Sequence, residues 1–108
     1  MSTHTIVRGG QGVTVERYKG YRFTSLAFNY RNRDMEPMLV DIEPGDNAGL
    51  VTHCGQEFNY VLRGRIALTL GKHQYILEEN DCAYFDPSIP HGQAALGGSA
   101  RFLTLINE

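Results

Sequence analysis

Turn-forming residues recur along this chain at intervals of roughly eight to twelve residues, and this spacing limits its fold more than any other feature. The segments between the turns are short and rich in β-branched and aromatic residues, as in Tyr21–Asn29. In Arg65–Leu70 the larger apolar residues occupy every second position, which is the period of a half-buried strand. The chain is therefore predicted to be an all-β protein, built as a small antiparallel β-barrel or jelly roll.

The strands predicted from this pattern follow one another along the whole chain. Two of the turns between them carry specific signals. Pro44-Gly45 combines two turn formers, and Asn80 is among the few non-glycine residue types that tolerate a positive φ. The predicted strands are Val13–Glu16, Tyr21–Asn29, Met38–Ile42, Leu50–His53, Glu57–Leu62, Arg65–Leu70, His73–Leu77, Cys82–Phe85 and Arg101–Ile106.

Length and composition bound the class of protein. A chain of 108 residues suits one hydrophobic core, so residues 1–108 are predicted to form a single domain, with a barrel core over about 35–106 and N-terminal strands within 1–34. Its apolar runs are too short to span a membrane, and the first residues lack the apolar stretch of a signal peptide. Cys54 and Cys82 are expected to be reduced thiols in a cytoplasmic protein. A formal charge of −2 without a basic cluster gives no reason to expect nucleic-acid binding.

Candidate metal ligands lie in two segments. His53 and Glu57 are four residues apart across a tight bend at Gly55, which can bring the end of one strand beside the start of the next. The second segment ends at His91, where two preceding prolines restrict the backbone. Two imidazoles and one carboxylate form a ligand set that suits iron, manganese, nickel, cobalt or zinc. His53, Glu57 and His91 are therefore predicted to hold a divalent transition metal.

The same two segments resemble the two sequence motifs of the cupin superfamily. Gly45–Gly64 matches the first motif in spacing, Asn80–His91 matches the second, and the resemblance extends over about Met35–Ile106. It implies the double-stranded β-helix, or jelly roll, of cupins. The wording of His53–Leu62 and of Tyr84–His91 is closest to the C-terminal sensor cupins of helix-turn-helix bacterial regulators. No helix-turn-helix pattern precedes the barrel here, so a direct role in DNA binding is not expected.

The chain departs from the family pattern at one ligand position. The first histidine of the first motif is Val51, which leaves three of the four usual ligands. The remaining set still has open coordination positions, and a barrel without metal stays an alternative. Alternation along a strand places Val51 on the same face as His53, where it makes one wall of the pocket apolar. Cys54 can replace the missing ligand only if the strand is locally twisted.

Other pocket residues are predicted from strand parity. Asn59 and Val61 share the parity of Glu57 and are predicted to form walls that contact a ligand. Tyr84 is a further candidate for ligand binding, although either parity near the Asn80 turn is open. The segment Tyr21–Phe23 is interpreted as a plain edge strand rather than a cover for the pocket mouth.

Two classes of function remain open from the sequence. In the favoured one, the protein is a sensor or regulatory module that binds a small molecule, and it is expected to be a homodimer. Its interface is then the apolar face of Phe58, Tyr60 and Leu62, or the N-terminal strand. In the alternative, it is a metal-dependent enzyme, a dioxygenase or an isomerase, acting on a small organic acid or sugar. The sequence places no further general acid or base in the pocket, which favours the binding module.

Overall fold

The computed structural model describes residues 3–45 and 49–107, and this part of the chain consists of strands, turns and loops. Within these residues no helix is long and apolar enough to cross a membrane. The strands are β1 (Val13–Tyr18), β2 (Tyr21–Ser25), β3 (Met35–Ile42), β4 (Gln56–Arg63), β5 (Ile66–Leu70), β6 (His73–Leu77), β7 (Cys82–Phe85), β8 (His91–Ala95) and β9 (Ala100–Asn107).

Two antiparallel sheets form the molecule. The larger has the order β1-β2-β3-β9-β4-β7, and the smaller has the order β6-β5-β8. Strands distant in sequence are therefore neighbours, as where β9 lies between β3 and β4. This arrangement confirms the all-β jelly roll that the turn spacing predicts.

The hydrophobic core lies between the two sheets. Inward side chains of β2, β3, β4 and β9 meet Ile66 of β5 from the opposite sheet. Close packing at the β4–β5 turn depends on Gly64, whose φ is +78°. A Cβ atom at this position would lie only 2.5 Å from the carbonyl oxygen of Ser99, so a larger residue would clash. The core residues are Tyr21, Val40, Ile42, Val61, Ile66, Ala100 and Phe102.

The predicted strands differ most from the structure in three places, apart from shifts of one to three residues at the ends of other strands. The strand predicted over Leu50–His53 is reduced to a single bridge between Val51 and His91. The segment His91–Ala95 was not predicted, yet it forms β8 because its backbone pairs with β5. The strand predicted to reach Asn29 ends at Ser25, where its pairing with β3 also ends.

The two turn signals noted in the sequence agree with the backbone angles of the structure. Asn80 has a φ of 72°, and Gly45 has a φ of 118°, so both positions adopt the left-handed backbone that their residue types favour. Residues 46–48 of the first motif and the chain ends within the predicted domain 1–108 lie outside the described residues.

Candidate metal centre

Strand parity on β4 turns Glu57 into the barrel. Glu57, Asn59 and Val61 are buried, whereas Phe58 and Tyr60 between them are only partly covered. This alternation is the one that the sequence predicts. It places one carboxylate, 4% exposed, where it needs a partner to offset the loss of water.

Backbone hydrogen bonds bring the two histidines to this carboxylate. Val51 and His91 donate to each other's carbonyl oxygens at 2.9 and 3.0 Å, and the amide of His53 donates to Pro87 O at 3.0 Å. The two motif segments thus run side by side. The imidazole rings of His53 and His91 meet edge to face, with centroids 5.0 Å apart.

Both imidazoles present the same nitrogen to Glu57. The Nε2 atom of His53 lies 2.9 Å from Glu57 Oε1, and that of His91 lies 3.4 Å from the same oxygen. The ligand atoms of these three residues all lie within 4.8 Å of one another. The structure therefore brings together the three ligands predicted from the sequence.

Each imidazole is oriented from behind by a main-chain carbonyl. Nδ1 of His53 lies 3.1 Å from Cys54 O, and Nδ1 of His91 lies 2.9 Å from Ile89 O. A carbonyl oxygen only accepts, so Nδ1 carries the proton and Nε2 of a neutral imidazole presents a lone pair. Lone pairs of two imidazoles then converge on a carboxylate oxygen. Such a cluster requires a cation, either a proton or a metal ion, so the donor set fits a divalent metal.

A ladder of polar side chains holds the other oxygen of Glu57. Glu57 Oε2 accepts from Asn59 Nδ2 at 3.0 Å and from Gln93 Nε2 at 3.2 Å. Asn59 also donates to Thr104 Oγ1 at 3.1 Å and accepts from Gln93 at 2.8 Å. We call Asn59, Gln93 and Thr104 the Asn59 ladder. The carboxylate of Glu57 is thereby fixed with Oε1 toward the histidines and Oε2 toward the ladder.

The electrostatics of the site follow from these contacts. Burial by itself raises the pKa of Glu57, but hydrogen bonds from His91 and Asn59 outweigh it and leave the pKa below its ordinary value. Burial lowers the pKa of His91, while the hydrogen bonds with Glu57 and with the carbonyl of Ile89 raise it by more. Both shifts favour the charged forms, as expected where a carboxylate and a cation share a buried site.

A cavity of about 430 Å³ opens from the triad, which is large enough for a small organic molecule. Val51 lines it beside His53 and His91, as predicted from parity. Tyr21 closes one side by donating its hydroxyl hydrogen to Gln93 O at 2.7 Å, which ties the two sheets together. The lining residues are Arg17, Tyr18, Tyr21, Phe23, Met38, Val40, Gly49, Val51, Thr52, His53, Glu57, His91, Gly92, Gln93, Phe102, Thr104 and Ile106.

Comparison with known proteins agrees with this fold. The family model of the cupin domain matches residues 38–106. The chain belongs to the cupin family. No curated protein is significantly similar to it in sequence.

Solved structures similar to this cupin share its fold at low sequence identity. An RmlC-like cupin from Shewanella frigidimarina has 15% identity and a TM-score of 0.83, covering 97% of this chain and 91% of its own. Hydroxypropylphosphonic acid epoxidase from S. wedmorenis has 22% identity and a TM-score of 0.83, covering 95% of this chain and 59% of its own. The Fe(II) form of HppE has 20% identity and a TM-score of 0.85, covering 96% and 60%. This cupin therefore spans about 60% of the length of the latter two.

Several pocket predictions are corrected by the structure. Tyr84 lies outside the cavity, 65% exposed, with its hydroxyl donating to Gln56, because Phe85 takes the inward position opposite Glu57. Asn59 and Val61 face inward as predicted, yet they lie behind the cavity surface, in the ladder and in the core. Both are therefore placed to support the pocket rather than to contact a ligand.

Cys54 and the N-terminal strands also differ from expectation. Cys54 is exposed and lies outside the cluster of ligand atoms, so it does not replace the missing histidine. Tyr21 and Phe23 line the cavity, and their strand β2 is interior to the sheet, since β1 forms the edge. Gln93 and Thr104 carry no signal in the sequence, because only the register of β8 and β9 brings Gln93 to Glu57 and Thr104 to Asn59.

Proposed function

We propose that this cupin is a small-molecule-binding module whose ligand lies beside a divalent transition metal held by His53, Glu57 and His91. The observation that carries the proposal is the convergence of two imidazole nitrogens on a buried carboxylate oxygen at the end of a cavity of about 430 Å³. Such a ligand set suits iron, manganese, nickel, cobalt or zinc. Structures of HppE with Fe(II) and with Co(II), which share this fold, support a metal of that class.

A sensor or regulatory role is favoured over catalysis. The motif wording resembles the sensor cupins of bacterial regulators. Among the described cavity residues, the ionisable groups beyond the triad are Arg17, Tyr18 and Tyr21. Tyr21 is 5% exposed and donates its hydroxyl hydrogen to a backbone carbonyl. The described lining thus supplies no additional imidazole or carboxylate for proton transfer to a substrate.

A metal-dependent enzyme is the second candidate, and one observation favours it. The epoxidase from S. wedmorenis has the same fold as this chain. In this chain, the triad of His53, Glu57 and His91 would leave metal positions open for a substrate. When bound, the metal supplies Lewis-acid or redox chemistry. The residues of this chain then bind the substrate, orient it and exclude water.

We also propose that the protein is a homodimer in the bacterial cytoplasm and acts without direct contact with nucleic acid or membrane. Its two cysteines are free, as is usual in a reducing compartment. The outer face of the larger sheet has an apolar groove that includes Met35, Phe58 and Leu105, and this groove suits a second copy of the chain.

Elemental analysis of protein purified without chelator or affinity nickel tests the metal. We expect about one divalent ion per chain, lost in His53→Ala and in His91→Ala, since each removes one of three ligands. His73→Ala, on the exposed strand β6, is the matched control and keeps the metal. Metal that remains in both triad variants would refute the site. Saturable ligand binding without turnover supports the sensor role, and ligand-dependent oxygen consumption supports the enzyme.

A further inference from the structure

The cavity beside the triad has an apolar wall. One row of inward side chains crosses the larger sheet, in which Phe23 pairs with Val40 and Val40 pairs with Phe102. All three side chains line the cavity. Burial of an apolar ligand against these three side chains stabilises the complex, whereas they offer no hydrogen bond to a hydroxyl group.

The polar side chains beside the triad are already hydrogen-bonded to one another. Gln93 donates to Glu57 and Asn59, and Thr104 accepts from Asn59. In the described residues, every buried side-chain nitrogen or oxygen has a hydrogen-bond partner. A sugar in this cavity would lose the water around several hydroxyl groups and would have to compete with these existing bonds for Glu57, Gln93 and Thr104. The lining therefore disfavours a polyhydroxylated ligand.

The charges of the cavity favour an anion. Glu57 is the one carboxylate among the described lining residues, and both of its oxygens are engaged in the triad and the Asn59 ladder. A divalent metal on the triad leaves this end positive. Arg17 adds a second positive charge where exposed strand β1 meets the cavity, with its guanidinium 5.7 Å from the ring centroid of Phe23. An ammonium group finds no free carboxylate in this lining.

We infer that the ligand of this cupin is a small organic acid with an apolar body. This inference rests on the proposed function and narrows its ligand class, since it excludes sugars and amines. The acid group would lie at the triad, beside Val51. The apolar body packs against Phe23, Val40 and Phe102. Arg17 at the mouth attracts the anion and covers its outer end.

Four probe ligands of similar size distinguish the contribution of ligand charge to affinity from that of an apolar body. Calorimetry on the metal-loaded protein compares phenylacetate, 2-phenylethanol, 2-phenylethylamine and glucuronate. We expect phenylacetate to bind at least about tenfold more tightly than each of the others, a difference of about 1.4 kcal/mol. Glucuronate carries the same charge on a polar body, so it isolates the contribution of the apolar wall. Removal of the metal by chelation is expected to weaken the binding of phenylacetate by a similar factor.

Arg17→Gln tests the residue at the mouth. We expect phenylacetate to bind about two- to fivefold more weakly, the effect of a solvent-exposed ion pair, and to lose much of its salt dependence. Lys72→Gln removes the same charge from the β5–β6 turn, outside the cavity lining, and is expected to bind phenylacetate like the wild type. An equal loss in both variants would show that Arg17 has no local role and would overturn that part of the inference.

The failure of this inference and the failure of the proposed function give different results. If the triad holds metal but glucuronate or 2-phenylethylamine binds as tightly as phenylacetate, the ligand class is wrong and the metal-centred module stands. If no probe binds at millimolar concentration to the metal-loaded protein, the small aromatic acid is likewise ruled out. If His53→Ala and His91→Ala retain the metal, the proposed function itself fails, whatever the probes do.

Discussion

Replacing Asn59 by leucine tests whether the polar ladder holds the metal ligand in place. Asn59 is completely buried and makes three hydrogen bonds, to Glu57, Thr104 and Gln93. Leucine is similar in size but has no polar atom, so the substitution removes the bonds without leaving a large cavity. Glu57 keeps only the bond from Gln93 at 3.2 Å on its Oε2 side.

The size of the effect follows from these three bonds. The two neutral bonds contribute about 1 kcal/mol each, and the bond to charged Glu57 contributes about 1.5–3 kcal/mol. Burial of the leucine side chain offsets about 1.5–3 kcal/mol of this loss. We therefore expect Asn59→Leu to lower the free energy of unfolding of the metal-free protein by about 2 kcal/mol, within a range of about 0.5–3.5 kcal/mol. Loss of an outer-shell partner is expected to weaken metal binding about 10- to 100-fold.

Urea unfolding of the metal-free protein and competition with a chromophoric chelator measure the two effects separately. Gln74→Leu is the matched control, because Gln74 donates to Thr69 at 3.4 Å on the exposed strand β6. That variant should change the free energy of unfolding by no more than about 0.5 kcal/mol and leave metal affinity unchanged. If Asn59→Leu behaves like the control in both assays, the ladder does not orient Glu57 and the reasoning is wrong.

Three other substitutions test the rest of the molecule. Val51→His should tighten metal binding by about tenfold or more, ~1.4 kcal/mol, and should weaken the binding of phenylacetate. Titration measures both affinities, and Val51→Leu, the control, should not tighten metal binding. The hydrogen bond from Arg33 holds the pKa of Glu36 below its ordinary 4.5, so this pair stabilises the fold above that pH and the stabilisation is lost as pH falls through the folded pKa. Arg33→Gln should therefore flatten the pH dependence of unfolding below pH 4.5. Phe58→Asp should convert a dimer to a monomer on size-exclusion chromatography at micromolar concentration; an unchanged elution volume in that variant would place the interface elsewhere.

The parts of the fold that could be predicted are those whose signal is local. β5 was predicted almost to the residue, because Ile66, Leu68 and Leu70 alternate and a glycine turn follows. β8 was missed because His91–Ala95 contains no β-branched or aromatic residue. Its strand conformation comes from hydrogen bonding to β5, a contact between segments far apart in the chain.

The site divides in the same way. His53, Glu57 and His91 were predicted because the spacing of the motifs encodes them. Gln93 and Thr104 carry no such signal, since their role depends on strand register, in which Thr104 lies opposite Asn59. A register shift of one residue would turn every one of these side chains to the other face. Tyr84 was misplaced for that reason, since parity within β7 is decided by its pairing with β4.

Val51 links the metal centre to the ligand class. A histidine at this position would add a fourth donor and fill a coordination position, and it would also place a polar ring on the cavity wall. Valine instead supplies no donor atom, and it places methyl groups on the cavity wall beside His53 and His91. The proposed ligand, an acid with an apolar body, would use both consequences at once, with its acid group beside the triad and its carbon skeleton against the wall. For this reason Val51→His should move the affinities for metal and for phenylacetate in opposite directions. A variant that tightened both would show that the open position is not where the acid binds.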